Sequence, residues 1–293
     1  VHLVSRWAAV IGSPVAHSLS PALHRAAWAS LGLGGPGEGG PWRFDRIEQT
    51  PQTLPALVAG LDGDCLGLSV TMPCKQAVIP LLDAVEPLAE AVGAVNTVVP
   101  SGGLLTGFNT DVHGIVTAVT EARAAMPPPR SAVVLGAGAT ASSALAALAQ
   151  MRVDDVAIVA RRFSGPGSAS VAAARLGIAV EPVLWSHGDR TRAAIAAADI
   201  LISTVPAGAA DDLAGSLVGA AAPRPDQMLL DVVYAPRETG LVRAFQGAGA
   251  GVAWGTEMLL HQAAQQVVLE TGRHPDVTAM RRAMRDELAR RGI

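Results

Sequence analysis

Aromatic side chains are scarce: five Trp, four Phe and one Tyr make up 3% of the 293 residues. A nucleic-acid groove built from stacking platforms needs more. Charge is thin as well. Asp, Glu, Lys and Arg total 16%, and 22 basic residues nearly cancel 25 acidic ones, for a formal net charge of −3. That balance leaves no electrostatic footprint for nucleic acid or an anionic membrane, so neither is expected as a partner. The two cysteines, Cys65 and Cys74, cannot build a disulfide framework, and no Cys/His cluster has zinc spacing. Both read as small core or loop thiols, and no metal is expected. Residues 1–7 lack a charged start followed by an apolar run, so a signal peptide is not expected and the protein reads as cytoplasmic. Residues 131–151 carry no charge and match a bilayer in length. Their Gly, Ser and Thr, and a turn signal after five residues, read instead as strand, turn and helix.

What is present in quantity is apolar, at 50% of the chain, enough for a sizeable core. Domains run about 100–200 residues, so two are expected. Short β-rich runs alternate with longer Ala/Leu-rich helical runs, the pattern of α/β architecture. Strands are predicted at 7–11, 43–48, 66–70 and 94–99, with helices at 21–31, 53–61, 75–82 and 87–92. The Gly/Pro run at 32–41 predicts a surface loop. A helix is predicted at 111–125, followed by Pro127, Pro128 and Pro129, a stiff spacer read as the domain boundary. Beyond it six strands are expected, at 132–135, 156–160, 180–184, 200–204, 228–233 and 252–254, the number in a full dinucleotide-binding sheet. Two helices broken at 272–275 end the chain.

The clearest local motif is an apolar strand running into Gly136-Ala137-Gly138-Ala139-Thr140-Ala141 and an Ala-rich helix. Gly136 permits the tight turn, Gly138 lets the backbone approach a pyrophosphate, and Ala141 keeps the helix close to the sheet. The helix N-terminus then offers N–H groups and partial positive charge to phosphate. The next strand ends in Arg161-Arg162, where an NAD site usually has an acid on the ribose 2′-OH. Guanidinium groups match a 2′-phosphate in charge and geometry, which favours NADP.

The first third concentrates small polar groups at strand ends. Ser18 and Ser20, two apart in an extended loop, can face the same way and suit a carboxylate or a polyol; taken alone, Ser20-Pro21 reads more readily as an N-cap and a first-turn proline. Thr71 and Lys75 follow one strand; Asn96 in the 94–99 run, and Asn109 and Asp111 after it, add amides and a carboxylate. Each is commonplace singly. Together, in the order His17-Ser18-x-Ser20-Pro21, Val70-Thr71-x-Pro73-x-Lys75, Gly93-Ala94-Val95-Asn96-Thr97, Asn109-Thr110-Asp111, Gly136-Ala137-Gly138, Asp231-Val232-Val233-Tyr234 and Gly255-x-x-Met258-Leu259-x-x-Gln262, the chain resembles the shikimate dehydrogenase family from about residue 11 to residue 272.

The resemblance implies an NADP-dependent oxidoreductase of the shikimate pathway, leading to chorismate and the aromatic amino acids. It would reduce 3-dehydroshikimate to shikimate reversibly, as a monomer or homodimer. It implies a substrate domain with a mixed sheet at 1–115, completed by helices at 255–293, and a Rossmann-type doubly wound domain at 116–254. The tail helices would fold back onto the first domain. Lys75 and Asp111 match the catalytic pair, which would also touch substrate. Ser18 and Ser20 match the carboxylate holders; Thr71, Asn96, Tyr234 and Gln262 match the polar groups around the ring. Gly136, Ala137, Gly138, Ala139 and Thr140 match the phosphate loop, Arg161 and Arg162 the 2′-phosphate clamp, and Val232 and Gly255 backbone positions near the nicotinamide. Four positions depart from the family pattern: Ser69, Arg25 and Ala160 stand where Asn is usual, and Ala139 where a second glycine is usual. Quinate or aminoshikimate dehydrogenases share the scaffold, and a non-catalytic NADP-binding sensor is the alternative of a different class. A methylene-tetrahydrofolate dehydrogenase has a comparable plan but leaves the His17–Ser20 motif unexplained.

Overall fold

The computed structural model describes residues 5–33, 42–165 and 167–293. The loop expected at 32–41 lies, from residue 34 on, outside them. The chain divides into two compact units, one joining the residues up to Thr110 with Leu260–Ile293, the other formed by Asp111–Leu259. The break therefore falls at Thr110/Asp111, not after residue 115 and not at the prolines. The prolines belong to the second unit because Arg123 ties them there: its guanidinium donates to Pro127 O at 2.9 Å and to Asp199 O at 3.2 Å.

The first unit holds β1 (Arg6–Gly12), α1 (Ser20–Ser30), β2 (Trp42–Glu48), α2 (Leu54–Ala59), β3 (Cys65–Val70), α3 (Cys74–Ala77), β4 (Ala84–Val85), α4 (Pro87–Val92), β5 (Thr97–Ser101) and β6 (Leu104–Phe108). Its sheet runs β2-β1-β3-β5-β6-β4. The β1–β2, β1–β3 and β4–β6 pairs are parallel, and β3–β5 and β5–β6 antiparallel. Central β1 reads Ala8-Ala9-Val10-Ile11, apolar at successive positions because both faces are covered. Two strands escape the hydrophobic pattern. β4 is two residues long, and β6 is a partly exposed hairpin arm joined to β5 through Gly102 and Gly103, at φ +60 and +83. Positive φ at both turn positions is the mark of a type I′ hairpin, the form that matches strand twist. The helix expected over 75–82 stops at Ala77 and continues as a 3₁₀ turn at Ile79–Leu81. Pro80 has no N–H to give Gln76 and its ring would clash with that carbonyl.

The second unit holds α5 (Asp111–Ala122), β7 (Ser131–Leu135), α6 (Ala139–Gln150), β8 (Asp155–Ala160), α7 (Ala169–Leu176), β9 (Glu181–Leu184), α8 (Gly188–Ala197), β10 (Ile200–Ser203), α9 (Asp211–Ser216), β11 (Met228–Asp231), α10 (Gly240–Gly247) and β12 (Gly251–Trp254). All six strands pair in parallel in the order β12-β11-β10-β7-β8-β9. Counted from β7, this is the doubly wound order, with the chain reversing direction across the sheet between β7 and β10. The uncharged 131–151 stretch is β7, a turn and α6. No helix among the described residues is long and apolar enough to cross a membrane.

Helix α11 (Gly255–Thr271) starts in the second unit, and from Leu260 its residues belong to the first. Helix α12 (Val277–Arg290) follows, with Asp276 capping its N-terminus through Thr278 N–H and Ala279 N–H at 2.8 and 3.2 Å. It packs on α1.

Candidate active site

At the carboxyl ends of β1, β2 and β3 three loops interlock. Thr71 N–H donates to Ile11 O, Ser13 N–H to Met72 O and Gln49 N–H to Gly12 O, each at 2.8 Å. Gly12 permits the closeness: at φ +148, a Cβ there would lie 2.5 Å from both Met72 O and Thr71 Cγ2. The loop leading to Ser18 and Ser20 thus leaves beside Thr71. It is pinned at His17 O and Ser18 O by the Arg291 guanidinium, and at Ser18 O also by Arg46. Ser20 is the first residue of α1, not its N-cap, which is Leu19; the Ser18 hydroxyl accepts Ser20 N–H at 3.2 Å.

Lys75 is half-buried in α3, and its carbonyl accepts Val95 N–H at 2.8 Å. That bond ties the lysine's backbone to the residue before Asn96. Asn96 is buried at the centre of a polar cluster. Its Oδ1 accepts Thr110 N–H at 2.7 Å and the Thr97 hydroxyl at 2.9 Å. Its Nδ2 donates to Thr110 Oγ1 at 2.9 Å and to Gln262 Oε1 at 3.2 Å. Asn96, Thr110 and Gln262 come from three separate stretches of chain. Asp111, the residue after Thr110, is buried as the first residue of α5.

In the second unit, β7 runs into Gly136, whose φ of +107 suits glycine and whose N–H donates to Val159 O at 2.9 Å. A Cβ there would collide with Thr204 Oγ1. Gly138 occupies the N-cap of α6 with no side-chain cap, and a Cβ on it would meet nothing within 4 Å. The space that a pyrophosphate would fill is therefore clear at the helix N-terminus, and the loop from Gly136 to Thr140 fits a dinucleotide. Arg161 and Arg162 follow β8, both exposed. Gly255 starts α11 hard against the end of β11, where a Cβ would lie 2.5 Å from Val232 O and 2.7 Å from Asp231 O. Val232 N–H donates to Ser203 O at 3.1 Å. Half-buried Tyr234 lies in the loop after β11, and that loop is anchored by buried Asp231, which accepts the Thr239 hydroxyl at 2.7 Å and Val233 N–H at 3.2 Å. Burial raises the Asp231 carboxyl above the usual range against those hydrogen bonds.

The family described as shikimate dehydrogenase substrate binding domain matches residues 10–98, and the shikimate 5'-dehydrogenase C-terminal domain matches residues 255–285. A Citrifermentans bemidjiense protein called shikimate dehydrogenase (NADP(+)) is 36% identical, over 98% of this chain and 97% of its own. The crystal structure of Mycobacterium tuberculosis shikimate dehydrogenase has a TM-score of 0.83 at 37% identity, covering 96% of this chain and 99% of that one. Quinate dehydrogenase from Corynebacterium glutamicum in complex with NAD has a TM-score of 0.81 at 32% identity, with coverage of 96% and 99%. The chain belongs to the shikimate dehydrogenase family.

Within that family frame, three features escaped the motif reading. Thr110 sits inside the quoted Asn-Thr-Asp motif, yet it is the hydroxyl that bridges Asn96 and Gln262. Gln266, four residues after Gln262, shares its helix face, as the i, i+4 spacing alone would have indicated. Lys75 is the only lysine in the chain, the other 21 Lys/Arg positions all being Arg. Elsewhere in the first unit, Glu270 of α11 is buried against Gly67, whose Cβ would lie 2.8 Å from Oε1. His24 Nε2 is 3.9 Å from that oxygen, and neither it nor either carboxyl oxygen has a hydrogen-bond partner. Burial pushes Glu270 up to about 8 and His24 down to about 4, so both are neutral at pH 7 and the contact is not an ion pair. Burial also raises both thiols, Cys65 to about 12, which leaves them unreactive.

Proposed function

We propose that this protein catalyses the NADP-dependent, reversible reduction of 3-dehydroshikimate to shikimate. The observation that carries the reading is the buried Asn96–Thr110–Gln262 cluster at the sheet end where the chain's only lysine sits. Such a cluster offers a polyhydroxylated ring fixed donors and acceptors, and a lysine supplies a titratable ammonium. Membership of the family and the name of the Citrifermentans relative support it.

In this reading the bound nicotinamide supplies the hydride, and the protein supplies position and charge. Ser18 and Ser20 receive the ring carboxylate. Thr71, Asn96, Tyr234 and Gln262 hold the ring hydroxyls. Hydride addition to the ketone builds negative charge on oxygen, and the Lys75 ammonium donates its proton there, a contribution of about 10²–10⁴-fold in rate. Asp111 is the second member of the acid–base pair and accepts from a ring hydroxyl. The loop of Gly136, Ala137, Gly138, Ala139 and Thr140 holds the pyrophosphate, Arg161 and Arg162 the 2′-phosphate, and Val232 and Gly255 meet the nicotinamide edge. The enzyme acts in the cytoplasm on a small molecule, as a monomer or homodimer.

The Corynebacterium neighbour gives the second reading, oxidation of quinate with NAD. Ser69, in place of the usual Asn, is compatible with it; the exposed arginine pair after β8 disfavours it. Absorbance of the reduced nicotinamide, with shikimate and quinate against NADP+ and NAD+, decides. Shikimate with NADP+ is expected to give the highest kcat/KM. A higher value for quinate with NAD+ replaces the first reading with the second, and no turnover on any pair leaves a ligand-binding protein.

A further inference from the structure

We infer that Gln266 is a positioning residue, whose carboxamide, together with Thr110 N–H, holds the donor–acceptor polarity of Asn96 and, through it, of Gln262. The inference rests on the reading of Asn96 and Gln262 as substrate contacts. Gln266 is buried one helical turn beyond Gln262. Its Nε2 donates to Asn96 O at 3.1 Å and to Thr97 Oγ1 at 2.9 Å, while Ser69 Oγ donates to its Oε1 at 2.9 Å.

The orientation of this amide is forced. The Asn96 carbonyl can only accept, and it already takes Val70 N–H at 2.7 Å, so the Gln266 end facing it must be Nε2. Nε2 also occupies a lone pair of Thr97 Oγ1, which leaves the Thr97 proton to Asn96 Oδ1 at 2.9 Å, a shorter contact than the 3.3 Å to Thr110 Oγ1. Thr110 N–H, another obligatory donor, meets the same Oδ1 at 2.7 Å. With Oδ1 receiving both, Asn96 must present Nδ2 to Thr110 Oγ1 and Gln262 Oε1. Gln262 then accepts on that side of its carboxamide and carries its donor on the other. A ring hydroxyl read by Gln262 is thus read as an acceptor. Ser69 closes the relay at its far end: shorter than the Asn usual at this place, it gives its proton to Gln266. The buried amide thereby keeps both ends satisfied, which its burial demands.

Gln266→Met keeps the length and apolar packing and removes both polar ends; Ser69→Ala/Gln266→Met also removes the hydroxyl that would be stranded. In whichever variant folds, KM for shikimate is expected to rise about tenfold, the scale of one lost buried hydrogen bond. KM for NADP+ should stay within twofold. In an Asn96→Ala background the same change should add no further rise, because Gln266 acts through Asn96. A shikimate KM within twofold of the parent, or a fully multiplicative effect in that background, overturns the positioning role. Exchange of the Asn96 side-chain amide protons, followed by NMR in the ligand-free protein, reads the polarity without turnover. It should quicken at least tenfold in the variant, and unchanged exchange overturns the inference. A parent that fails to turn over shikimate refutes the proposed function instead, and leaves the exchange measurement to decide the role of Gln266.

Discussion

At the scale of single residues, the use of one lysine against 21 arginines is informative. Arginine stays charged and cannot serve as a proton donor that recycles, whereas an amine can. Lys75→Arg is therefore as diagnostic as Lys75→Ala. Both are expected to lower kcat by about 10²–10⁴-fold with the NADPH dissociation constant unchanged, as read by nucleotide fluorescence. Near-normal turnover in either removes Lys75 from its role. The arginine pair after β8 gives a second expectation. Arg161→Ala/Arg162→Ala should weaken NADPH by at least tenfold and leave NADH nearly untouched, since only the former carries the 2′-phosphate; equal losses for the two cofactors count against the clamp. These candidate groups stand out in the sequence because each lies in a short local motif. The contacts of Thr110 and Gln266 do not show there, although one lies in the Asn-Thr-Asp motif and the other a helical turn after Gln262: Thr110 meets Gln262 across 152 positions and Gln266 meets Ser69 across 197. No local spacing encodes such a contact.

At the scale of elements, the sequence was most legible where burial is complete. The parallel strands β1, β7, β8, β10 and β11 are unbroken apolar runs within a residue or two of their expected bounds. The hairpin arm β6 was hidden because it is partly exposed and contains Gly107, and a Gly-Gly pair rather than Asn-Gly joins it to β5. Glycine at Gly107 is itself required, since a Cβ would lie 2.5 Å from Leu82 Cδ1 and 2.8 Å from Val95 Cγ2. The dinucleotide turn shows the same economy. Gly136→Ala forces an L-residue to φ +107 and drives a methyl into Thr204. It is expected to cost about 1–3 kcal/mol of stability and to abolish measurable NADPH binding, seen by denaturant melts and calorimetry. Tight binding in a folded Gly136→Ala protein would show that the turn is more tolerant than its geometry indicates.

At the scale of the whole molecule, stability carries the mark of the His24–Glu270 contact. Glu270, raised to about 8, keeps its proton in the folded state while the unfolded chain loses it near 4.5, so its contribution declines as pH rises between those values. His24, lowered to about 4, is neutral when folded and charged when unfolded below 6.5, so its contribution declines as pH falls from 6.5 towards 4. The two slopes cancel between about 4.5 and 6.5, and stability from this pair drops above 6.5. Glu270→Gln removes the upper limb. Its melting temperature is expected to gain roughly 5 °C on the parent between pH 5 and pH 8. A constant difference across that range would mean that Glu270 ionises freely in place.

The first unit is assembled from two stretches that flank the second unit in the chain, and that has a consequence for its birth on the ribosome. Its sheet leaves the exit tunnel early, at about 5–20 residues per second, but Gln262, Gln266 and α12 are made only after the whole second unit. The contiguous nucleotide-binding half can finish first, while the earlier-made half waits without Gln262 and Gln266 in its polar cluster and with α1 not yet covered by α12. A nascent chain released before Leu260 is thus the species most in need of a chaperone.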